Sequence, residues 1–434
     1  MHAKVLSKLG NNGFKAAQRF PQLRLKPREH AKITAHRRSS LLFDSFEPKS
    51  LEYAVNDVQS GGVVEVRRSD DKMIALGFFE PQYNRVDVFD LTPKQVTSLP
   101  TVCDDFFIAR LHDSWDRRKR LLQQSRNNTY RVCNGYVDGI PSLYVDHFSD
   151  CFLRIIATSA GAERLLPSII EFFRCRGAEE ILIDSPTLGD AEKITLVKPS
   201  IPMPRVYVEG GIRHMWLPDS VRIPTTENRY LLHPAYRRAR QMLRDLGRDK
   251  KVLCINDRSA GASLYAVSTA KWVTCVEEDS VFTEWTRENL IANHSPVIFS
   301  QRCEMVQSSI LNFTKEETYD VVYIENHPNT LCSLEQWTKT LKHLMSHKLA
   351  GVGTIIIMSQ ETAPLAIEDM KRVNKHEPAT RKNIAQAIRD AGDDFNLRVR
   401  FLRAFSPSYD YPLLPEGESI AFSLVYLIEG PAIE

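Results

Sequence analysis

Residues 251–278 read KVLCINDRSAGASLYAVSTAKWVTCVEE, and this stretch decides the fold. KVLCI and WVTCVE are near-continuous apolar runs, a pattern typical of strands that are buried on both faces of a parallel sheet. Between them a short helix is predicted to begin at Gly261. Two such strands joined by a helix form a βαβ unit, and its first turn lets backbone N–H groups approach a ligand closely.

The same alternation continues to the end of the chain. Further strands are predicted at YDVVYIE and GTIIIMS, and long helices at SVFTEWTRENLIAN and LEQWTKTLKHLMSHKL. FNLRVRFLRAF and ESIAFSLVYLI close the sheet as an antiparallel edge pair. The pattern predicts an α/β fold with a doubly wound, Rossmann-like sheet over residues 220–434, and such sheets bind ligands beyond the carboxyl ends of their strands.

Three regions precede this domain. Residues 1–42 form a basic arm, and residues 43–122 combine short alternating strands with a following helix. Residues 123–219 predict a small linking α/β domain that ends in a hairpin at RVYVEGGIRHMWL. Its helix contains Pro167, which either bends the chain or marks the true first turn.

Composition excludes several classes of protein. In 434 residues, no apolar run approaches the ~20 residues that span a bilayer. The eight cysteines are scattered without zinc-site spacing, and we interpret them as reduced thiols. His327 and His343 have no third ligand at suitable spacing, so no metal site is predicted.

The positive charge is concentrated in the N-terminal arm. Residues 1–43 carry ten Lys or Arg and one acid, Glu29, whereas the rest of the chain holds 47 basic and 53 acidic side chains. An acid-free, basic segment that can form an amphipathic helix is typical of a mitochondrial presequence. A disordered basic tail and a retained RNA-binding arm are the alternatives. We expect location in the mitochondrial matrix.

Several motifs in colinear order carry a family resemblance. YVDGIPSLYVDHF (136–148) resembles the DGLPGL-x-VDR stretch of bacterial large-subunit ribosomal RNA cytosine-5 methyltransferases. The family's PUA module (a small β-rich RNA-binding domain) resembles GGVVEVRRSDDKMIALGFFEPQYNRVDV (61–88), and the helix after it resembles DFFIARLHDSWDRRKRLL (105–122). The family's TGFFLDQR segment has its counterpart in PTTENRYLLHPAYRRAR (224–240), and its closing stretch resembles DYPLLPEGESIAFSLVYL (410–427). The resemblance covers about 390 residues and implies a PUA-like domain, a linking domain and a class I S-adenosylmethionine methyltransferase domain.

The cofactor loop departs from the family. Of two successive glycines only Gly261 remains, with Ala260 in the other place, and Asp257 and Arg258 bring bulk and charge to the floor of the pocket. Glu277 stands where an acid accepts from the ribose hydroxyls, although a solvated strand-end acid has the same pattern. Ser308 or Ser309 replaces an acid near the adenine. We therefore expect no cofactor, with S-adenosylmethionine possible if the site is retained.

The catalytic edge departs further. Glu325, Asn326 and His327 align with the family's Asp-Pro-Pro triplet. Methylation of carbon 5 of a pyrimidine requires a thiolate that adds at carbon 6, and the resemblance puts Gln360 at the position of that cysteine. Cys332 lies a few residues beyond the Glu-Asn-His segment, either as a relocated nucleophile or as an inert thiol.

Two basic clusters complete the candidate sites. Arg117, Arg118, Lys119 and Arg120 form one, and Arg237, Arg238 and Arg240 the other. Such runs are commonly solvated helix faces, but beside aromatic residues they are also typical of phosphate contacts.

Together these features predict an RNA-binding pseudo-methyltransferase in mitochondrial ribosome biogenesis. Its expected partners are ribosomal RNA and mitochondrial ribosomal or assembly proteins. Two alternatives remain open: an active S-adenosylmethionine-dependent rRNA methyltransferase, and a protein–protein scaffold.

Overall fold

The computed structural model describes residues 20–29, 40–90, 104–122, 127–149, 152–185, 192–195, 205–216, 234–257, 260–294, 296–326, 333–347, 349–361, 380–405 and 421–430. The chain divides into two compact units. The first holds residues 1–124, 128–200 and 412–418, and the second holds 125–127, 201–411 and 419–434.

The first unit begins with a five-stranded sheet in the order β1-β3-β4-β5-β2, accompanied by one helix. Antiparallel pairing of β3, β4 and β5 follows from the alternating strands and polar turns of this region. This β-rich region is consistent with a PUA-like domain. The elements are β1 (Gln22–Arg24), β2 (Ser40–Leu42), α1 (Pro48–Asp57), β3 (Gly62–Arg67), β4 (Met73–Glu80) and β5 (Arg85–Asp90).

A second sheet of the same unit has the order β10-β9-β8-β7-β6. Pro167 lies in the first turn of α4, where its missing N–H costs no hydrogen bond, so it marks a helix start. The elements are α2 (Asp104–Leu122), β6 (Tyr130–Asn134), β7 (Leu143–Ser149), β8 (Phe152–Ala157), α3 (Ala160–Arg164), α4 (Leu166–Arg174), β9 (Glu180–Asp184) and β10 (Glu192–Thr195).

Both sheets of the first unit share one apolar core. Phe78 from β4, Phe107 from α2 and Val132 from β6 belong to the same buried cluster. The carboxylate of Glu80 adds a polar link, because it accepts hydrogen bonds from the backbone N–H groups of Ala160 (3.1 Å) and Gly161 (2.8 Å). The four-region division stays a prediction, but its second region and the first part of its third pack as one body.

The second unit contains the expected doubly wound sheet, in the order β15-β14-β13-β16-β17-β19-β18. The α/β prediction is confirmed: β13 to β17 pair in parallel, and β19 pairs antiparallel with both β17 and β18. Its elements are β11 (Arg205–Glu209), β12 (Ile212–Trp216), α5 (Arg237–Leu246), β13 (Lys251–Ile255), α6 (Gly261–Val267), β14 (Trp272–Glu277), α7 (Ser280–Asn293), α8 (Pro296–Arg302), β15 (Cys303–Gln307), β16 (Val321–Asn326), α9 (Leu334–Ser346), β17 (Ile355–Glu361), α10 (Arg381–Asp394), β18 (Arg398–Phe405) and β19 (Ala421–Glu429).

The hairpin β11–β12 packs in the second unit. Gly210 and Gly211 form its two-residue turn with φ values of +59° and +84°, as a tight hairpin with right-twisted strands requires. The backbone of Met215 is held by α7: its N–H donates to Oδ1 of Asn289 (2.6 Å), and its carbonyl accepts from Nε1 of Trp285 (2.6 Å). The hairpin thereby brings Glu209 against α5.

Among the helices that the structure describes, none combines the length and the apolar character needed to cross a bilayer.

Candidate functional site

The parallel strands of the second unit bring several predicted residues to one sheet edge. Glu277 ends β14, while Glu325 and Asn326 end β16 and pair in register with Ser359 and Gln360 of β17. Because parallel strands end on the same side of a sheet, these side chains share its carboxyl edge. The sheet therefore brings residues that are distant in the sequence to one edge, and their assignment as site residues stays a prediction.

Asp257, two residues after β13, hydrogen-bonds to the start of helix α6. The buried carboxylate of Asp257 accepts from the backbone N–H groups of Ala262 (2.6 Å) and Ser263 (2.7 Å), and also from the Ser263 hydroxyl. Burial raises the pKa of Asp257, and these hydrogen bonds oppose the rise. The sequence predicts that Asp257 and Arg258 bring bulk and charge to the floor of the pocket. The carboxylate of Asp257 instead faces the first turn of α6, and Arg258 lies outside the described residues.

The residue before α6 has an unusual backbone conformation. Ala260 adopts a left-handed conformation, with φ of +62° and ψ of 20°, and is fully buried just before Gly261. An L-residue with a Cβ pays about 1–2 kcal/mol in that conformation. Position 260 therefore has a conformation that glycine adopts without this cost.

Glu277 is held in place by its own chain. Its Oε1 accepts from the N–H of Glu278 (3.1 Å), and its backbone carbonyl accepts from the N–H of Ser308 (3.0 Å). The predicted ribose-binding acid and the predicted adenine-side serine are thus neighbours. A carboxylate held at the end of β14 can accept hydrogen bonds from a pair of hydroxyl groups.

Glu325 belongs to a buried ionic network rather than to an open cleft. Oε2 of Glu325 accepts from the Tyr323 hydroxyl (2.9 Å) and lies 3.5 Å from Nη1 of Arg240. Arg240 itself makes two 2.8 Å hydrogen bonds to the carboxylate of Glu209, so Glu325 is its weaker partner. Burial raises the pKa of Glu325 to about 7, an effect that Arg240 opposes and Asp257 reinforces.

Gln360 is fixed by two donors. Its Oε1 accepts from Nδ2 of Asn326 (2.7 Å) and from the indole Nε1 of Trp337 in α9 (2.6 Å). All three side chains are buried. The hydroxyl of Tyr236, the residue just before α5, donates to the Asn326 carbonyl (3.0 Å) and connects the start of this helix to the end of β16. A carboxamide is no nucleophile toward a pyrimidine ring, and here it serves as a structural acceptor.

Two candidate residues, His327 and Cys332, lie outside the described residues. The alternatives for Cys332, a relocated nucleophile or an inert thiol, therefore stay open. Elsewhere in the part of the chain that the structure describes, no group of three His, Cys, Asp or Glu side chains is placed to hold a metal ion.

The basic clusters divide into exposed and buried members. Arg118 is buried and forms a bidentate pair with Asp138, while Arg117, Lys119 and Arg120 of α2 are exposed. The guanidinium of Arg118 is thus committed to the fold, and its assignment as a phosphate contact is corrected. The prediction of RNA contact in this cluster stays with its three exposed neighbours.

The cluster on α5 needs the same correction. Arg237 and Arg240 are buried against Glu209, at 3.4 Å and 2.8 Å, because α5 presents that face to the hairpin. Arg238 points to solvent. The sequence of a basic run does not show which arginines are buried, because that depends on the acid they pair with. Here the acid is Glu209 of the hairpin, about thirty residues upstream.

Sequence reasoning missed Glu209, Arg240 as a structural cation, and Trp337. Trp337 carried one available signal: it lies on the apolar face of α9 and has an N–H that needs an acceptor when buried. Glu209 had none, since its partner depends on how the hairpin docks.

The fold defines the class of the second unit: it is an S-adenosylmethionine-dependent methyltransferase fold with a mixed sheet. A structure from Streptococcus mutans, described as a candidate SAM-dependent methyltransferase, superposes with a TM-score of 0.69 over 94% of this chain and 99% of that chain, at 14% identity. A second methyltransferase-type structure, in complex with SAH, gives a TM-score of 0.68 over the same shares at 16% identity.

Named relatives are found by sequence. The Ribosomal RNA large subunit methyltransferase I of Aeromonas salmonicida is 23% identical over 389 residues, which cover 85% of this chain and 91% of that protein. The protein of the same name from Serratia proteamaculans is 22% identical, covering 82% and 88%. No family model matches the chain.

The residues present fit one end of S-adenosylmethionine better than the other. Glu277, fixed beside Ser308, is suited to accept from ribose hydroxyls. The first-turn amides of α6 are satisfied by Asp257, so they do not serve an anionic group of a ligand. When bound, the cofactor would supply an activated methyl group, and Glu277 and Ser308 would orient its adenosyl part.

Proposed function

We propose that this chain acts on large-subunit ribosomal RNA as an RNA-binding protein of the S-adenosylmethionine-dependent methyltransferase class. The observation that carries the proposal is full-length similarity, over more than four-fifths of both chains, to proteins named for methylation of that RNA. The PUA-like sheet ahead of the methyltransferase fold supports RNA as the substrate.

Methyl transfer is the form of this function that the comparisons favour. The reported relatives carry an enzyme's name, and a structural neighbour is complexed with SAH. Glu277 supports cofactor binding at the end of β14. The expectation that no cofactor binds is not supported by these neighbours, and S-adenosylmethionine is the cofactor we propose.

Binding without catalysis is the second candidate, and the Asn326–Gln360–Trp337 contact favours it. Attack on carbon 6 of a cytosine requires a thiolate. The position that the resemblance assigns to that thiolate holds a buried carboxamide whose oxygen accepts two hydrogen bonds. In this form the chain would serve large-subunit assembly as a scaffold on RNA. An active enzyme would need a thiol elsewhere or an acceptor other than carbon 5.

Titration calorimetry with S-adenosylmethionine separates the two candidates. A low-micromolar dissociation constant that Glu277→Ala abolishes, with Glu278→Ala as the neighbouring control, would support the methyltransferase. Absence of binding to folded protein would leave the binding-only function. Mass spectrometry of large-subunit rRNA from cells with and without the chain then identifies any methyl group that depends on it.

We further propose a mitochondrial location, supported by the basic, acid-free first 28 residues. A reporter fused after these residues should enter mitochondria. The full chain without them should stay in the cytosol, and unchanged mitochondrial import of that deletion would overturn the presequence.

A further inference from the structure

The edge strand β18 has a composition unlike the buried strands beside it. Its sequence, RVRFLRAF, has three arginines and no acid, and most of its side chains are exposed. In the described sheet it pairs with β19 along one side only. The core strands β13 and β16 are instead buried over almost their whole length, and most of their residues are apolar.

The arginines share one face of β18. Register with β19 places Arg398, Arg400 and, after a bulge at Leu402, Arg403 opposite Glu429, Leu427 and Val425. Alternate residues of a strand are about 7 Å apart, so the guanidinium groups form a row with a spacing comparable to that of phosphates in an extended single strand. Arg398 and Arg400 share one carboxylate, Glu429, at 3.7 Å and 3.1 Å. Among the described residues, Glu429 is the acid that pairs with this row, and one carboxylate cannot neutralise three cations.

Aromatic surface accompanies the charge. Phe405 pairs with Ser423 and so lies on the same face of β18 as the arginines. Phe401, which is 48% exposed, pairs with Tyr426 and lies on the opposite face. The guanidinium of Arg403 lies 4.7 Å from the centroid of Phe405. Positively charged tracks with positioned aromatic rings bind single-stranded nucleic acid, because phosphates meet the cations and bases stack on the rings.

We infer that β18 is a binding track for single-stranded RNA, which rests on the proposed function and adds a site to it. The strand runs parallel to β17, and Phe405 is level with Ser359, since both pair with Ser423. With β19 between them, β17 and β18 are roughly 10 Å apart. RNA lying along β18 therefore leads to the carboxyl edge that carries Glu325 and Gln360.

The test is the salt dependence of binding to a labelled single-stranded oligouridylate. The variant R398Q/R400Q/R403Q should make the negative slope of log K against log salt shallower by about two, since each lost phosphate contact on a single strand contributes about 0.7. The matched control K271Q/R287Q/K339Q removes the same charge from exposed positions of the same unit and should leave the slope unchanged. Glu429→Gln should tighten binding.

Phe405→Ala should weaken binding without changing the slope, because it removes stacking and no charge. Phe401→Ala, on the opposite face of β18, should leave binding unchanged. Photo-crosslinking with 4-thiouridine should label the peptide that contains residues 398–405. Equal slopes for wild type and R398Q/R400Q/R403Q, equal losses in the matched control, or capture of an acidic peptide in place of RNA would overturn the inference. If wild type binds RNA with the β18 variant unaffected, only this inference fails; if wild type binds no RNA, the proposed function fails with it.

Discussion

The indole N–H of Trp337 donates to the side-chain carbonyl of Gln360 across 2.6 Å, inside the protein. Asn326 donates to the same oxygen from the neighbouring strand. A side chain at the carboxyl edge of a doubly wound sheet usually faces a ligand, but Gln360 is held by helix α9 and strand β16. This contact excludes position 360 as a source of the thiolate that cytosine-5 methylation needs.

Replacing Gln360 with alanine should destabilise the second unit. The change removes the acceptor that Trp337 and Asn326 share, and a buried donor left without its acceptor costs about 1–3 kcal/mol. Urea denaturation measures the loss. The control Gln386→Ala, at an exposed position of α10, should stay within about 0.5 kcal/mol of wild type. Equal effects would show that the Gln360 contacts contribute nothing to folding.

Two arginines two positions apart on α5 should respond differently to methionine substitution. Arg240→Met removes the cation that Glu209 and Glu325 share, although Glu209 keeps Arg237 at 3.4 Å. Removing one partner of a buried pair costs about 3–5 kcal/mol. Arg238 is exposed, so Arg238→Met should have almost no effect. Thermal or urea unfolding of both variants gives the comparison. A tolerated Arg240→Met would mean that the buried network is not needed for stability.

Stability should fall as pH rises toward neutrality, in part because of Glu325. Its pKa rises from the usual 4.5 to about 7 on folding, so the folded state binds more protons than the unfolded state between these values. By linkage, stability is highest below the unfolded pKa and is lost as pH rises through the folded one. At 1.36 kcal/mol per pKa unit, this amounts to about 3 kcal/mol as an upper bound.

Glu325→Gln removes that titration and should flatten the pH dependence between pH 5 and 8. Urea unfolding at a series of pH values checks this. Glu80 of the first unit also has its pKa raised to about 7 by burial, so Glu80→Gln provides a parallel measurement in another sheet. A profile as steep in Glu325→Gln as in wild type would assign the dependence to other groups.

The exposed cations of α2 should bind RNA, and their buried neighbour should not. R117Q/K119Q/R120Q should reduce the salt slope of RNA binding by up to about one unit for each lost phosphate contact. Arg118→Gln should instead lower stability, because it breaks the buried pair with Asp138. Measuring binding and urea unfolding for both variants separates the roles. If the triple variant had the same salt dependence of RNA binding as wild type, α2 would not be part of the RNA-binding surface.

The sequence predicted the sheet of the second unit well and its site less well. Continuous apolar strands such as KVLCI and WVTCVE have few other uses, so their parallel pairing followed from local pattern. The carboxyl-edge position of Glu325 and Gln360 followed in turn. The burial of the basic residues could not be predicted, because Arg118, Arg237 and Arg240 pair with their acids through tertiary packing. Asp257 likewise read as pocket charge until its hydrogen bonds to α6 were seen.

The most direct test of the central claim, action on large-subunit ribosomal RNA, is crosslinking of the full chain to RNA in cells followed by sequencing of the bound fragments. We predict that crosslinked reads concentrate at defined positions of large-subunit rRNA and decline when the exposed arginines of α2 and β18 are replaced. Reads spread over cellular RNA in proportion to abundance, or no crosslinked RNA from a folded and expressed chain, would contradict it.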